Sequence, residues 1–140
     1  MNKFRTYLET ATALAKSGNL NKDGHPPLRV VIGNTSCDMD SVVGAITLAY
    51  YYTKTKDSLW VPVINCDAAD FYCNLEIVKH LKNSRIDHSH LVFLDELKAL
   101  YPNRVDITEI GLVDHNQLDP EQEPWLGKNV THVVDHHVDN

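Results

Sequence analysis

The stretch that decides the fold is LRVVIGNTSCDMDS, residues 28–41. It begins with an apolar, β-branched run from Leu28 to Gly33, which is typical of a buried strand. A polar turn at 34–40 follows and leads into a helix that we predict from Ser41 to Thr53. That helix is apolar on most of its sides, as expected if other elements cover it. A buried strand, a tight turn and a buried helix together indicate an α/β unit.

The same alternation of strands and helices continues outward from this stretch. Upstream, the spacing of apolar residues predicts a helix at 2–16, followed by a loop at 19–27. Downstream, we predict four further strands, at 59–66, 91–94, 107–113 and 130–134. Two helices are predicted between them, at 71–82 and 96–100. The pattern predicts an α/β protein with an open, mostly parallel five-stranded sheet and helices on both faces.

Two local predictions concern single residues downstream. Asp70 precedes the helix predicted at 71–82, and aspartate is a preferred N-cap residue, so we assign it to the cap. Pro62 lies within the second strand, where a missing amide donor indicates an edge position or an irregular strand end.

The size and composition of the chain place it among globular proteins. Its 140 residues correspond to one domain, which we divide into an N-terminal helix and loop, 1–27, and an α/β domain, 28–140. With 43% hydrophobic and 23% charged residues, a disordered, collagen-like or coiled-coil protein is excluded. The longest apolar stretch, 42–52, falls short of the ~20 residues of a membrane span, so no membrane association is expected.

The cysteines and the N-terminus together indicate a compartment. The three cysteines form no CxxC pair, which favours reduced thiols. Lys3 and Arg5 lead into polar residues rather than into the apolar core of a secretory signal. We therefore expect an intracellular, cytoplasmic protein.

Charge is unevenly distributed along the chain. The net charge is −6 and the pI about 5.7, which argues against a nucleic-acid partner. Between residues 106 and 139 there are eight carboxylates against one lysine, together with four of the eight histidines. Carboxylates and imidazoles gathered in this way suggest a cation site. An acidic, solvated end of the chain is the alternative, and composition alone leaves both interpretations open.

Three of the predicted strands end directly at acidic or imidazole residues. The strands at 28–33, 107–113 and 130–134 lead into 34–40, into Asp114 and into 135–137. Ligands of open α/β sheets bind beyond the carboxyl ends of the strands. If these strands are parallel neighbours, one crevice collects Asp38, Asp40, Asp114, His136 and His137. Uncompensated carboxylates repel one another, and one or two divalent cations would offset that repulsion.

Each of these groups also has a structural alternative. Asp38 and Asp40 in a tight turn are hard oxygen ligands, but Asp-x-Asp-Ser is also a helix cap. Asp114 is placed either to bridge two metals or to act in an Asx-type turn. The adjacent His136 and His137 point in different directions, so one can bind metal while the other faces a substrate oxyanion. The alternative for that pair is two surface histidines.

The three motifs also resemble a known family. GNTSCDMDS (33–41), GLVDHN (111–116) and VVDHH (133–137), in this order and at strand ends, resemble the first three motifs of the DHH phosphoesterases. Family II inorganic pyrophosphatases carry a metal-binding histidine at the position of Asn34, whereas eukaryotic exopolyphosphatases and prune-like proteins carry asparagine. The chain therefore looks most like the N-terminal part of a eukaryotic exopolyphosphatase.

The resemblance implies a site with two divalent cations, Mg²⁺, Mn²⁺ or Co²⁺. Asp38 would hold the first and Asp40 the second, Asp114 would bridge both, and His136 would bind the second. Among these, Asp114 is also assigned a catalytic role. His137 would contact phosphate and act in catalysis, and Asn34 would be at most a weak metal ligand and would lie at the substrate.

The implied function is that of a metal-dependent phosphoanhydride hydrolase, an exopolyphosphatase that releases orthophosphate from the end of inorganic polyphosphate. Alternatives are a pyrophosphatase, a prune-like phosphodiesterase and a non-catalytic metal-binding or interaction module. The family's fourth motif and its basic C-terminal substrate-binding domain have no counterpart before Asn140. We therefore expect the 140 residues to be part of a larger enzyme and to be inactive alone. A plain nucleotide-binding domain is disfavoured, because no GxGxxG or GxxxxGK[ST] follows the first strand.

Overall fold

The computed structural model describes residues 3–35, 38–86, 88–103, 106–114, 122, 125 and 129–134. Five helices lie in this part of the chain: α1 Lys3–Lys16, α2 Met39–Thr55, α3 Ala68–Tyr72, α4 Leu75–Asn83 and α5 Leu94–Leu100. The strands are β1 Arg29–Ile32, β2 Val61–Ile64, β3 Val92–Phe93, β4 Glu109–Val113 and β5 Val130–Val134. Within the described residues, each helix is too short or too polar to cross a bilayer.

The five strands form one sheet in the order β3-β2-β1-β4-β5, and every neighbouring pair is parallel. The chain runs outward from β1 to β2 and β3 and then returns to β4 on the other side of β1. Crossovers between parallel strands are right-handed as a rule, and by that rule we expect α2 to α4 on one face and α5 on the other. The predicted α/β class and five-stranded sheet are confirmed, and the sheet is entirely parallel.

The core lies on both sides of the central strands. All four residues of β2 and three of the four residues of β1 are buried, as expected for parallel strands covered on both faces. The N-terminal helix belongs to the same core: Leu8, Ala11 and Ala15 are buried in it, and the Tyr7 hydroxyl donates to the Trp60 carbonyl at 2.5 Å. The segment upstream of β1 therefore packs on the sheet.

Helix α2 packs against the face of the sheet that carries Val31. Gly111 of β4 lies under it: a Cβ built there would be in ordinary van der Waals contact with the Tyr52 ring, at 3.5 Å, and with a Val31 methyl, at 3.7 Å. Val113 lies close to Gly44 of the same helix. These contacts run along the length of α2 and hold its N-terminus at the carboxyl ends of β1 and β4.

The predicted helix at 71–82 and its predicted cap are both wrong. The helix predicted at 71–82 is two helices, α3 and α4, and Asp70 lies in the first turn of α3 rather than at a cap. Asn74 caps α4 instead, and its side chain accepts from the Ile77 amide at 3.4 Å. Asparagine competes for backbone hydrogen bonds, which favours a cap over a helix interior.

Pro62 does not mark an edge strand. It lies in β2, between β1 and β3, and pairs in register with Val31. A proline removes only the hydrogen bond that its own amide would donate, so the remaining bonds of the ladder hold the strand in place.

Candidate functional site

The candidate site lies where β1 and β4 end side by side. The two strands pair in parallel up to Ile32 and Leu112. Because the chain leaves β1 towards β2 and leaves β4 towards β5, their loops diverge and open a crevice at the reversal of strand order. Asn34 lies at the first of these ends and Asp114 at the second. The Asn34 side-chain amide donates to the Asp114 carbonyl at 3.2 Å, which joins the two loops.

Ser41, in the first turn of α2, connects the acidic residues of both loops. Its hydroxyl donates to Asp114 Oδ2 at 2.9 Å, and its backbone amide donates to Asp38 Oδ1 at 3.0 Å. The Asn34 backbone amide donates to the Ser41 hydroxyl at 3.1 Å. Asp38 and Asp114, which are far apart in sequence, are therefore held on a single residue.

Asp114 has an unusual backbone conformation. Its φ is 61°, in the left-handed region that costs most residues ~1–2 kcal/mol but that aspartate tolerates. The residue is buried, and its amide donates to the Val134 carbonyl of β5 at 2.9 Å. Strained backbone that is held by its surroundings clusters at functional sites. Contacts to β5, Asn34 and Ser41 hold this turn in place.

Gly33 allows β1 and α2 to approach each other. A Cβ built on Gly33 would lie 2.7 Å from the Ser41 carbonyl oxygen, a distance that real Cβ atoms do not reach. Only glycine therefore lets the first turn of α2 lie against the end of β1, where the Ser41 hydroxyl meets Asn34 and Asp114.

A buried pair of amide side chains supports the same loop from the β2 side. Asn65, which follows β2, donates from Nδ2 to the Gly33 carbonyl at 2.8 Å. Gln122 donates from Nε2 to Asn65 Oδ1 at 2.7 Å. Among the described residues, no donor reaches the buried Gln122 Oε1. The pair ties residue 122, far along the chain, to the end of β1.

Sequence reasoning missed Ser41, Gly33, Asn65 and Gln122 as parts of the site. Ser41 follows the candidate ligands Asp38 and Asp40, and the sequence pattern assigns it no role. The strand predicted at 59–66 includes Asn65, whereas β2 ends at Ile64; an earlier strand end would have shown a polar residue directly after an apolar strand, the signal that singled out Asp114. Gln122 carries no signal in the sequence, because its partner is 57 residues away.

The other predicted site residues divide into two groups. Asp38 and Asp40 are exposed at the N-terminus of α2, where Asp38 is the N-cap and Asp40 lies in the first turn. His136 and His137 lie outside the described residues. Within the described part of the chain, no three His, Cys, Asp or Glu side chains assemble into a metal-binding group. The structure thus brings together Asn34, Asp38 and Asp114 through Ser41.

At this end of the sheet, the N-terminus of α2 stabilises carboxylates, and those carboxylates can in turn bind cations. The amide dipoles of α2 place positive charge at its N-terminus, which stabilises the carboxylates of Asp38 and Asp40 there. A carboxylate has two oxygens with about four acceptor positions, so the cap bond of Asp38 leaves it the capacity to bind a cation as well. Carboxylate oxygens are ligands that hard divalent cations prefer, and these side chains fit such ions.

Comparison with known proteins supports the resemblance inferred from the motifs. No family model matches the chain. It is 40% identical over 114 residues to human exopolyphosphatase PRUNE1 and 37% identical over 112 residues to the rat protein of that name, and each match covers 79% of this chain. It is 32% identical over 115 residues, 81% of its length, to a putative exopolyphosphatase of Schizosaccharomyces pombe.

These relatives are considerably longer than the chain. The chain spans 24% of the two mammalian proteins and 30% of the fission-yeast protein. Over about four fifths of its own length, the chain is thus a homologue of eukaryotic proteins named exopolyphosphatase, and the predicted resemblance is confirmed.

Proposed function

We propose that this chain forms the cation-binding part of a metal-dependent phosphoanhydride hydrolase that releases orthophosphate from the end of inorganic polyphosphate. The similarity to proteins named exopolyphosphatase supports the reaction class. The observation that carries the proposal is the convergence of Asp38 and Asp114 on Ser41, at the reversal of strand order where α/β sheets bind ligands.

Four side chains of this chain would hold the cations: Asp38, Asp40, Asp114 and His136. Two Mg²⁺ or Mn²⁺ ions, with Co²⁺ as a substitute, suit this mixture of carboxylates and an imidazole. When bound, such ions polarise phosphoryl oxygens and activate water for in-line attack. The turn at Asp114 is held by Asn34, Ser41 and β5, and this supports the proposal because a carboxylate shared by two ions would need a fixed position.

Other groups of the chain would handle the substrate. The N-terminus of α2 offers positive dipole charge to a phosphate. Asn34 is tied to both Asp114 and Ser41, so its position relative to the carboxylates is constant. We assign His137 to the transferred phosphate, where an imidazole can donate a proton or hydrogen bond to an oxyanion.

The charge of the chain is consistent with a requirement for cations. At a net charge of −6, this part of the protein repels a polyphosphate chain. Divalent cations held by Asp38, Asp40 and Asp114 would offset this negative charge locally.

The test is phosphate release by the full-length protein that contains this chain. With Mg²⁺ or Mn²⁺, we expect orthophosphate release from polyphosphate that stops on chelation. Release from pyrophosphate alone would show a pyrophosphatase, and cleavage of cyclic nucleotides would show a prune-like phosphodiesterase. Cation binding without any hydrolysis would replace the proposal with a non-catalytic metal-binding module.

A further inference from the structure

Ser41 lies where three segments of the chain meet. It belongs to the first turn of α2, and its hydroxyl contacts the end of β1 through Asn34 and the end of β4 through Asp114. Its side chain is 2% exposed and Asp114 is 8% exposed, so water competes little for these hydrogen bonds. The three segments are joined at one oxygen atom.

The direction of these hydrogen bonds follows from the chemistry of the groups. A backbone amide only donates, so the Asn34 N–H gives its proton to Ser41 Oγ. A serine hydroxyl has one proton, and here it points at Asp114 Oδ2. The chain of donors therefore runs from Asn34 through Ser41 to Asp114. A residue without a hydroxyl at this position would leave both the amide and the carboxylate without this contact.

We propose that Ser41 is the positioning residue for Asp114, in that its hydroxyl fixes the plane of the carboxylate and thereby sets the cation affinity of the site. This inference rests on the proposed function. A carboxylate that serves a cation must be held within ~0.5 Å of its working position. Groups that hold a ligand in this way typically contribute 10–100-fold to metal affinity.

The first test is Mn²⁺ binding by the full-length protein that contains this chain, measured by electron paramagnetic resonance. We expect Ser41→Ala to weaken binding by about 10–100-fold, and Ser41→Thr, which retains a hydroxyl, to restore most of it. The matched control is Thr53→Val: Thr53 is a half-buried residue in the C-terminal part of α2, where its hydroxyl contacts the backbone of Ala49 and Trp60 and the side chain of Tyr7. Wild-type affinity in folded Ser41→Ala would overturn the proposal.

The second test needs no metal and measures amide hydrogen exchange and amide chemical shifts. In Ser41→Ala, the Asn34 backbone amide loses the Ser41 hydroxyl as an acceptor, so we expect its exchange to accelerate at least about tenfold and the Asp114 amide resonance to shift. Thr53→Val should change neither. Unaltered exchange at Asn34 and an unshifted Asp114 would overturn the positioning role even if Ser41→Thr fails to fold.

The two tests separate this inference from the proposed function. If the wild-type full-length protein fails to bind Mn²⁺ at any concentration, the cation site of the proposed function is refuted. The exchange measurement then still decides whether Ser41 holds Asp114, because that contact exists without a cation.

Discussion

Asp114 is the residue on which most of the site's contacts meet. Its backbone amide donates to the Val134 carbonyl of β5, its carbonyl accepts from the Asn34 side chain, and its carboxylate accepts from the Ser41 hydroxyl. Its left-handed φ turns the chain out of β4 at once. A residue bound in three directions cannot reorient, and this rigidity is what a carboxylate shared by two cations needs.

Replacing Asp114 should therefore have the largest effect on activity. Asp114→Asn retains an acceptor for Ser41 and tolerates the left-handed backbone, so we expect this variant to fold. We expect it to lose at least about 100-fold in phosphate release, since loss of a group that only supports a ligand typically costs 10–100-fold. Asp114→Ala should lose as much activity and also ~1–2 kcal/mol of stability, because alanine resists that conformation. Phosphate release and urea unfolding measure the two effects.

A matched control exists at the opposite end of the sheet. Asp57 is also an aspartate with positive φ, 50°, but it is exposed in the loop before β2. Asp57→Asn should leave phosphate release unchanged. Full activity in Asp114→Asn would refute the bridging role.

The two adjacent histidines should separate in their effects. We expect His137→Ala to spare Mn²⁺ binding while slowing turnover, because the resemblance assigns this imidazole to phosphate. His136→Ala should weaken Mn²⁺ binding. Metal titration beside steady-state kinetics of the full-length protein distinguishes them, and loss of metal in His137→Ala alone would show that the two roles are exchanged.

At the scale of elements, the site depends on how closely α2 approaches β1. The contact at Gly33 admits no side chain, and the Asn65 amide holds the Gly33 carbonyl from the β2 side. The N-terminus of α2, with Asp38, Asp40 and Ser41, is thus set against the strand ends by a packing contact rather than by helix propensity.

Gly33→Ala tests this contact. The added methyl would meet the Ser41 backbone at 2.7 Å, so we expect a loss of ~1–3 kcal/mol in urea unfolding. The control is Gly111→Ala in the neighbouring strand β4, where the nearest atom lies at 3.5 Å and we expect a change below ~1 kcal/mol. Equal stability of Gly33→Ala and the wild type would show that α2 does not need this close approach.

A second prediction at this scale concerns the break between α3 and α4. Asn74 caps α4, so Asn74→Ala should cost ~1 kcal/mol of stability. Asp70→Ala removes no cap and should cost clearly less. Urea unfolding of both variants decides, and the reverse order would restore a continuous helix beginning after Asp70.

At the scale of the whole molecule, an ion pair joins β1 and β4 at the end opposite the site. Arg29 Nε donates to Glu109 Oε2 at 2.6 Å, and the two residues are in register. The hydrogen bond from Arg29 is the main cause that lowers the pKa of Glu109, and Thr131 of β5 adds to it. The pair ties the two central strands together at their amino-terminal ends.

The lowered pKa makes stability depend on pH in a defined direction. A carboxyl group with a lowered folded-state pKa stabilises the fold at neutral pH, and this contribution is lost as the pH falls below about 5. We expect Glu109→Gln and Arg29→Met each to flatten the decline of the unfolding free energy on the acid side. An unchanged acid limb in Glu109→Gln would contradict the assignment; urea unfolding at several pH values measures it.

The local sequence pattern predicted which helices and strands exist better than it predicted where each one begins and ends. The strand predicted at 130–134 matches β5, whose β-branched residues Val130, Thr131, Val133 and Val134 favour an extended conformation. The helix predicted at 71–82 was wrong in the middle, since the capping side chain of Asn74 outweighed the apolar spacing around it. Pro62 misled because the loss of one donor is small against the burial of the whole of β2.

The sequence by itself determined the alternation of strands and helices, the acidic residues at strand ends and the resemblance to exopolyphosphatases, because each is written in residues close together along the chain. Only the tertiary structure decided the order of the strands and the meeting of Asn34, Ser41 and Asp114. The Ser41–Asp114 hydrogen bond spans 73 residues, and Asn34 and Asp114 are 80 apart. Contacts of that separation depend on how buried strands pack side by side, which no local pattern encodes.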